Sequence, residues 1–383
     1  KVIISNGCSF YPVLPSDQTL NSLDVLSGAS MNLGGHGLTV SGAASIAGAL
    51  IASGAETVKF LGDADFTGGS FTPAGSTVIA GGTAAQTVTP AGIAFNALRV
   101  TNTAAAVSLA GPWSASSYQS EAASVTYGGS FTATVFRATV GAVAVTQTFA
   151  AASSATVRDL YILGASGKTV TLRSTAASAW GLNVTRSAFV KYADVSYSDA
   201  LAGIPIYPAS SVDSLNNQNW FFSETWRNWS GAESVDFTNP NNWTELAAPD
   251  ANTRVVIDGN VNAPAISAAQ TVRSLALGVS QAATLTANAP LTIVENATIG
   301  GFGTLIVNSP SVVSGNCTVV SGGTITHSAN AASEINKLTL SVAGNLALDT
   351  GAFISADGRG YAANQGPGRP VSRIEAHESH AVP

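Results

Sequence analysis

The sequence predicts an all-β protein, a right-handed parallel β-helix (β-solenoid), and three observations lead there. Short apolar, β-branched runs recur from near the N-terminus almost to the end, such as Leu38-Thr-Val-Ser41, Thr57-Val-Lys-Phe60, Thr77-Val-Ile79, Thr169-Val-Thr-Leu172, Leu291-Thr-Ile-Val294 and Leu338-Thr-Leu-Ser341. Turn signals separate them every ~8–12 residues, which sets an all-β pattern. The separators are rich in Gly and Asn, where a chain bends rather than reverses, and similar phrases return along the chain as solenoid coils do. Thr87-Val-Thr-Pro-Ala-Gly-Ile-Ala-Phe-Asn-Ala-Leu-Arg-Val-Thr-Asn102 and Thr271-Val-Arg-Ser-Leu-Ala-Leu-Gly278 share that phrasing, although the repeat is irregular.

Each strand then has an inside and an outside. In Leu98-Arg-Val-Thr101, alternation turns Leu98 and Val100 inward and Arg99 and Thr101 outward. The same arithmetic buries Leu338, Leu340 and Val342. Composition agrees with close stacking. The 38 Gly suit tight corners, and the 10% of charged residues is far below the usual quarter. Hydrophobic residues make up 45%, which excludes a disordered polyelectrolyte.

The composition shifts once, where Asn216-Asn-Gln-Asn-Trp220, Phe221-Phe-Ser-Glu-Thr-Trp-Arg-Asn-Trp-Ser230 and Asp236-Phe-Thr-Asn-Pro-Asn-Asn-Trp243 collect four of the six Trp. The expected organisation is a β-helix segment over 1–222, a Trp/Asn-rich connector or cap over 223–248, and a second β-helix segment over 249–368. The stretch 369–383 is charged, matches neither half and reads as a disordered or foreign tail.

At four phrases the chain resembles the parallel β-helix segments of large bacterial adhesin-like and autotransporter-like secreted surface proteins. They are Phe66-Thr-Gly-Gly-Ser-Phe-Thr-Pro running to Phe95-Asn-Ala-Leu, and Gly167-Lys-Thr-Val-Thr-Leu-Arg-Ser-Thr175 running to Asn219-Trp220. The others are Asn239-Pro-Asn-Asn-Trp243 with Pro249-Asp-Ala-Asn-Thr-Arg-Val-Val-Ile257, and Ile354-Ser-Ala-Asp-Gly-Arg-Gly-Tyr361 with Gln365-Gly-Pro-Gly368. The resemblance implies an extracellular or cell-surface location and a polysaccharide or cell-surface glycan as partner. Adhesins, surface layers and polysaccharide-active enzymes all use such segments.

Two residue sets could carry chemistry. Asp63, Asp65, Asp194, Asp199 and Asp213 could supply the acid and the nucleophile or base of sugar cleavage. Asp63 and Asp65 stand two apart on a strand and share a face. The plainer reading is turn aspartates bonded to nearby amides. Trp220, Trp226, Trp229 and Trp243, with Trp180, Tyr192 and Tyr197 as a second set, could stack sugar rings. The plainer reading of the four tryptophans is a cap on the first core.

Other chemistries find less support. His36 and His327 do not build a nucleophilic triad, and Gly164-Ala-Ser-Gly167 is no nucleophile elbow. His377 and His380 lie in the tail. No cofactor or metal motif is present, and calcium stays open only because aspartates in Gly/Asn turns offer oxygen ligands. Thr169/Thr171 and Thr324/Thr326 do not repeat in the fixed period that an ice-binding face needs. Cys8 and Cys317 are too far apart along a stacked fold for an expected disulfide. The net charge is −6, and the 16 Lys and Arg read as scattered without a basic patch, so no nucleic-acid partner is expected. No apolar run reaches the ~18–20 residues of a membrane span. No signal peptide opens the chain, which reads as a mature or excised segment.

The expected function is therefore structural, adhesive or carbohydrate-binding, by display of polar rows on a rigid solenoid, with end-to-end self-association open to an uncapped stack. The alternative is a secreted polysaccharide-cleaving hydrolase or lyase with carboxylates on one face.

Overall fold

The computed structural model describes residues 1–7, 10–259 and 261–367. Cys8 and the stretch 369–383, with His377 and His380, lie outside them. Every pairing between the described strands is parallel, and strands of successive coils stack into ladders, so the fold is a β-solenoid. Among the described residues, helix is limited to one turn of 3₁₀, Pro240–Asn242. The chain divides into two compact units, Lys1–Glu224 and the residues from Thr225 onward.

In the first unit the described strands form sheets of 11, 10 and 3 members. Early coils are three-sided, as in Leu38–Val40, Ala44–Ile46 and Ala49–Ile51. Their inward residues repeat every 20 positions: Leu38, Val58, Val78, Leu98 and Tyr118 stand in one row. Leu98 and Val100 are fully buried, as the alternation requires. Glycine lets the corners stack: a Cβ on Gly69 would lie 1.9 Å from the Ile46 carbonyl oxygen.

The three-stranded sheet stops at Ser70–Thr72, and long bent strands replace it. Ala94–Val100, Trp113–Ser120, Phe131–Thr139, Ser154–Leu163 and Trp180–Lys191 grow from 7 to 12 residues. Aromatic residues fill the core behind them. Trp113 stacks on Phe131 at 4.4 Å and Phe149 on Trp180 at 3.8 Å between ring centroids. Such pairs add about 0.5–1.5 kcal/mol each beyond their burial. The Tyr118 and Tyr127 hydroxyls lie 2.7 Å apart inside this core, and Gln147 joins Tyr127 to Ser120. Burial pushes both phenols up from their ordinary pKa, so they stay neutral donors.

The second unit contains sheets of 6, 5 and 4 described strands. Its middle coils hold a strict 20-residue step, with Ala283–Ala287 under Gly303–Val307. The core is aliphatic, with Leu285, Leu305 and Ile325 in one row. Asparagines mark the corners: Asn296 Oδ1 accepts from the Asn316 N–H, and Asn316 Oδ1 from the Asn345 N–H, both at 2.8 Å.

The stretch 223–248 packs with the second unit, whose first residue is Thr225. Trp220 packs in the first core. Trp226–Asn228 pairs with Arg254–Ile257, and Trp229, Phe237 and Trp243 pack in the second core. Buried Asn242 ties this segment together: its Oδ1 accepts from the Glu233 and Ser234 N–H groups, and its Nδ2 donates to Asp236 O. Leu338, Leu340 and Val342, expected to be buried, are only half-buried. They belong to the last described coils, on which no further described coil is stacked.

Candidate functional site

The bend in the long strands of the first unit makes a concavity. Along most of each strand, outward and inward residues alternate. At the bend two consecutive residues face out, as with Ser116-Ser117. The ladder skips the position there: Ala115 pairs with Ala133 and Ser117 with Val135, leaving Ser116 opposite Thr134 at the kink. The last of these strands carries a bulge, because Val157 pairs with Val184 but Asp159 with Ser187. A bulge bends its strand and re-aims the side chains beside it.

The result is a groove of about 420 Å³ lined by Ser114, Ser116, Thr132, Thr134, Thr156 and Thr185. Ser114, Thr132 and Thr156 occupy one outward row on three successive coils. Parallel strands lie ~4.8 Å apart, so these hydroxyls form a line at that spacing. Arg158 lines the groove too, and Ala94, Phe95, Ala115, Ala133 and Val157 make the apolar part of its wall.

Beneath Arg158 lies a buried acid. Asp159 has a side chain 1% exposed. It accepts from Arg158 Nε at 3.0 Å, Arg186 Nε at 2.6 Å, Arg186 Nη2 at 2.7 Å and Ser187 Oγ at 2.7 Å. The bulge brings Arg186 round to meet it. A buried carboxylate of this kind costs heavily unless its lone pairs are met, and here they are.

The sequence-derived aspartates lie elsewhere, and none lines the groove. Asp63 and Asp65 are exposed on either side of inward-facing Ala64. Asp63 Oδ1 accepts from the Thr87 N–H at 2.7 Å and Asp65 Oδ1 from the Thr67 N–H at 2.8 Å. Asp199 accepts from the Leu201 N–H, and Asp213 from the Leu215 N–H and Asn217 Nδ2. Asp194 contacts Arg173 Nη2 at 2.6 Å and Ser214 Oγ at 2.5 Å. Burial pushes its carboxyl up, but those two partners outweigh burial and hold it below the usual range. Each is bonded as a turn or ladder aspartate is.

The aromatic platform is not formed as expected. Trp180 and Trp243 are 1% and 0% exposed, and Trp220 and Trp229 are buried too. Their indole N–H groups point inward, Trp180 to Ser196 O, Trp220 to Ser198 Oγ, Trp229 to Asn262 O and Trp243 to Phe237 O. Apolar rings with an internal partner for the N–H settle in the core rather than on the surface. Trp226 is half-buried on its strand. Tyr192 and Tyr197 are half-buried at two corners, with φ of 48° and 56°.

A different outward aromatic row does exist. The ladder brings Arg137, Tyr161 and Phe189 together on successive coils, and the Arg137 guanidinium sits 4.5 Å from the Tyr161 ring centroid. Tyr207 and Phe221 stack at 5.1 Å beyond them.

The reading of the basic residues as scattered also needs correction. The five long strands carry Arg99, Arg137, Arg158, Arg186 and Lys191, against one carboxylate, Asp159. Alternation puts all five cations outside the core. Glu121, just past its strand, faces Arg99 at 3.5 Å.

Among the described residues no three His, Cys, Asp or Glu side chains converge to hold a metal. His36 lies 3.8 Å from Asp17, and His327 Nδ1 lies 2.8 Å from Ser328 O. Cys317 is a buried free thiol, which burial pushes up to about 11. Thr284, Thr304 and Thr324 do share a row at the 20-residue step, but the adjacent row reads Thr286, Ile306, Thr326, so no two-column threonine lattice is complete. No helix among the described residues is long and apolar enough to cross a membrane.

These features define the class: a parallel β-solenoid with a hydroxyl-lined groove on one sheet. Comparison with family models, with curated proteins and with solved structures gives no match.

Proposed function

We propose that this chain is a carbohydrate-binding segment of an extracellular bacterial surface protein, of the adhesin-like or autotransporter-like kind its sequence resembles. The observation that carries the reading is the groove of the first unit, with Ser114, Thr132 and Thr156 in register along it. A hydroxyl both donates and accepts, which matches the hydroxyls of a sugar. The groups stand on paired strands, so little ordering cost attends binding. A glycan laid along the stack meets the same chemistry at each coil.

The cleaving-enzyme alternative needs two carboxylates at roughly 5–9.5 Å across a groove. The groove lining contains none. Asp159 beside it is buried and bonded to two guanidinium groups. Binding without cleavage is the reading this favours.

A glycan panel scored for both retention and reducing-end release tests it. The triple variant Thr132→Val, Thr134→Val, Thr156→Val keeps the shape and removes three hydroxyls. Affinity should fall roughly 100- to 200-fold at about 1 kcal/mol per bond. Retention of no glycan by the unaltered chain overturns the reading, and release abolished by Asp→Asn changes would turn it toward an enzyme. End-to-end self-association belongs to the same proposal. The last described coil leaves Leu346, Leu348 and Ile354 more than two-fifths exposed, and light scattering reads whether copies associate.

A further inference from the structure

The chain as a whole is acidic, with 22 Asp and Glu against 16 Lys and Arg. The face that bears the groove is the reverse. Its five long strands carry five cations and one carboxylate. Adding Glu121, which faces Arg99, still leaves that face positive. The cations are also placed in order. Arg99, Gln119 and Arg137 occupy one outward row over three coils. Arg158 lies in the groove lining itself, with its side chain 43% exposed.

The Asp159 cluster sharpens this. One carboxylate is shared by two guanidinium groups at the wall of the groove. Arg186 gives Asp159 a two-pronged contact through Nε and Nη2. Arg158 is held at Nε and lines the groove. A guanidinium held this way is suited to carboxylate or sulfate oxygens, which it can bind with two parallel bonds.

We infer that the groove selects acidic glycans: Arg158, braced by buried Asp159, receives a sugar-borne carboxylate or sulfate while the threonine and serine rows bind the sugar hydroxyls. This rests on the carbohydrate reading above and adds the charge of the ligand. A polyanion of the nucleic-acid class is less well served. Unstacked bases need exposed rings to lie on, and the outward aromatics of these strands, Tyr161 and Phe189, are 3% and 6% exposed.

The test measures binding of the full chain to four immobilised polymers of similar length. They are a polyuronate, a sulfated neutral-backbone glycan, an uncharged glycan and single-stranded DNA. Each is run at 0.05 and 0.5 M salt with the unaltered chain, Arg158→Gln and Arg158→Lys. The expected result is tightest binding to one or both acidic glycans. Arg158→Gln should cost roughly 10- to 100-fold on them. Arg158→Lys should recover part of the loss, and the loss on the uncharged glycan should be smaller than on the acidic ones. Preference for polyuronate or for the sulfated glycan names the acid. Equal binding of acidic and uncharged glycans overturns this inference and leaves the carbohydrate reading standing. Binding of no glycan overturns both. Tight binding to DNA with no glycan retained replaces the glycan by a nucleic acid. An unchanged Arg158→Gln affinity for acidic glycans overturns the role of Arg158. Thermal melting of both variants separates these outcomes from misfolding, since Arg158 lies outside the core.

Discussion

The two units solve one packing problem differently. Both stack parallel coils over an apolar core, yet only the first carries the groove. The second keeps its middle coils at 20 residues with an aliphatic core of Leu285, Leu305 and Ile325, and pins its corners with Asn296, Asn316 and Asn345. The first begins at the same step, shortens once and then lengthens. Its long sheet moves from Tyr118 to Phe136 to Leu160 to Ala188, and large aromatics fill the widening interior. Regular coils give a flat, repeating wall. Coils of changing length force strands to bend, and the bend at Ser116, Thr134 and Arg158 makes a concave surface. In this fold the irregularity creates the site, while the regular part supplies scaffold.

The largest expected effect separates the two cores. Trp180→Ala removes a buried ring stacked on Phe149 and should cost the first unit about 3–5 kcal/mol, while Leu285→Ala should cost the second about 2–5 kcal/mol. Each unit has its own tryptophans, so denaturant titration followed on single-tryptophan backgrounds reads them separately. If each variant moved both transitions equally, the contrast between two independent cores would fail.

A smaller effect tests the coil corners of the first unit. Glu56, 4% exposed, accepts from the N–H groups of Gly35, Ser53 and Gly54 and from Ser53 Oγ. Burial pushes its carboxyl up, but the backbone N–H groups of Ser53 and Gly54 and the Ser53 hydroxyl outweigh it and hold the pKa down at about 2. An unfolded glutamate titrates near ~4.3. The folded value is the lower one. The stabilisation is therefore complete above the unfolded pKa and fades as pH falls through the folded one. Glu56→Gln should lose roughly 1.5–3 kcal/mol at pH 7 and match the unaltered chain near pH 2. Urea unfolding at pH 7, 4 and 2.5 checks this, and a gap that stays constant with pH would sink it.

The smallest effect lies in the second core. With its thiol pushed up to about 11 and fully buried, Cys317 should resist a thiol reagent at pH 8 until that unit unfolds. Labelling in the native state at the rate of a free thiol would show that this regular wall opens locally.

Much of the fold was legible in the residues. Alternation placed Leu98 and Val100 inside and Arg99 outside because a strand's side chains have a period of two. The 20-residue step was also legible, in Leu38-Thr-Val40, Val58-Lys-Phe60, Val78-Ile-Ala80 and Leu98-Arg-Val100, but it was hidden by the lengthened coils that follow. The site was far less legible. Trp180 and Trp243 looked like ligand platforms because an aromatic ring suits a surface and a core alike. Both are buried, and each indole N–H has an internal acceptor. The groove residues are ordinary Ser and Thr, and Trp113-Ser-Ala-Ser-Ser-Tyr-Gln-Ser120 holds no Gly or Pro to mark a kink. The adjacent polar pairs Ser116-Ser117 and Arg158-Asp159, each breaking a strand's alternation, were the one available signal.

The sequence alone determined the secondary structure, the parallel stacking and the sidedness of most strands. Those follow from local propensity and period, which neighbouring residues settle among themselves. Only the tertiary structure decided which outward residues share a row. Arg99 and Arg137 are 38 positions apart, yet they meet one face two coils apart. Arg158 and Arg186 reach one carboxylate because a bulge falls between them. Coil length sets that register, and coil length depends on how each turn packs against the one below it. That is a property of the stack, and no single strand encodes it.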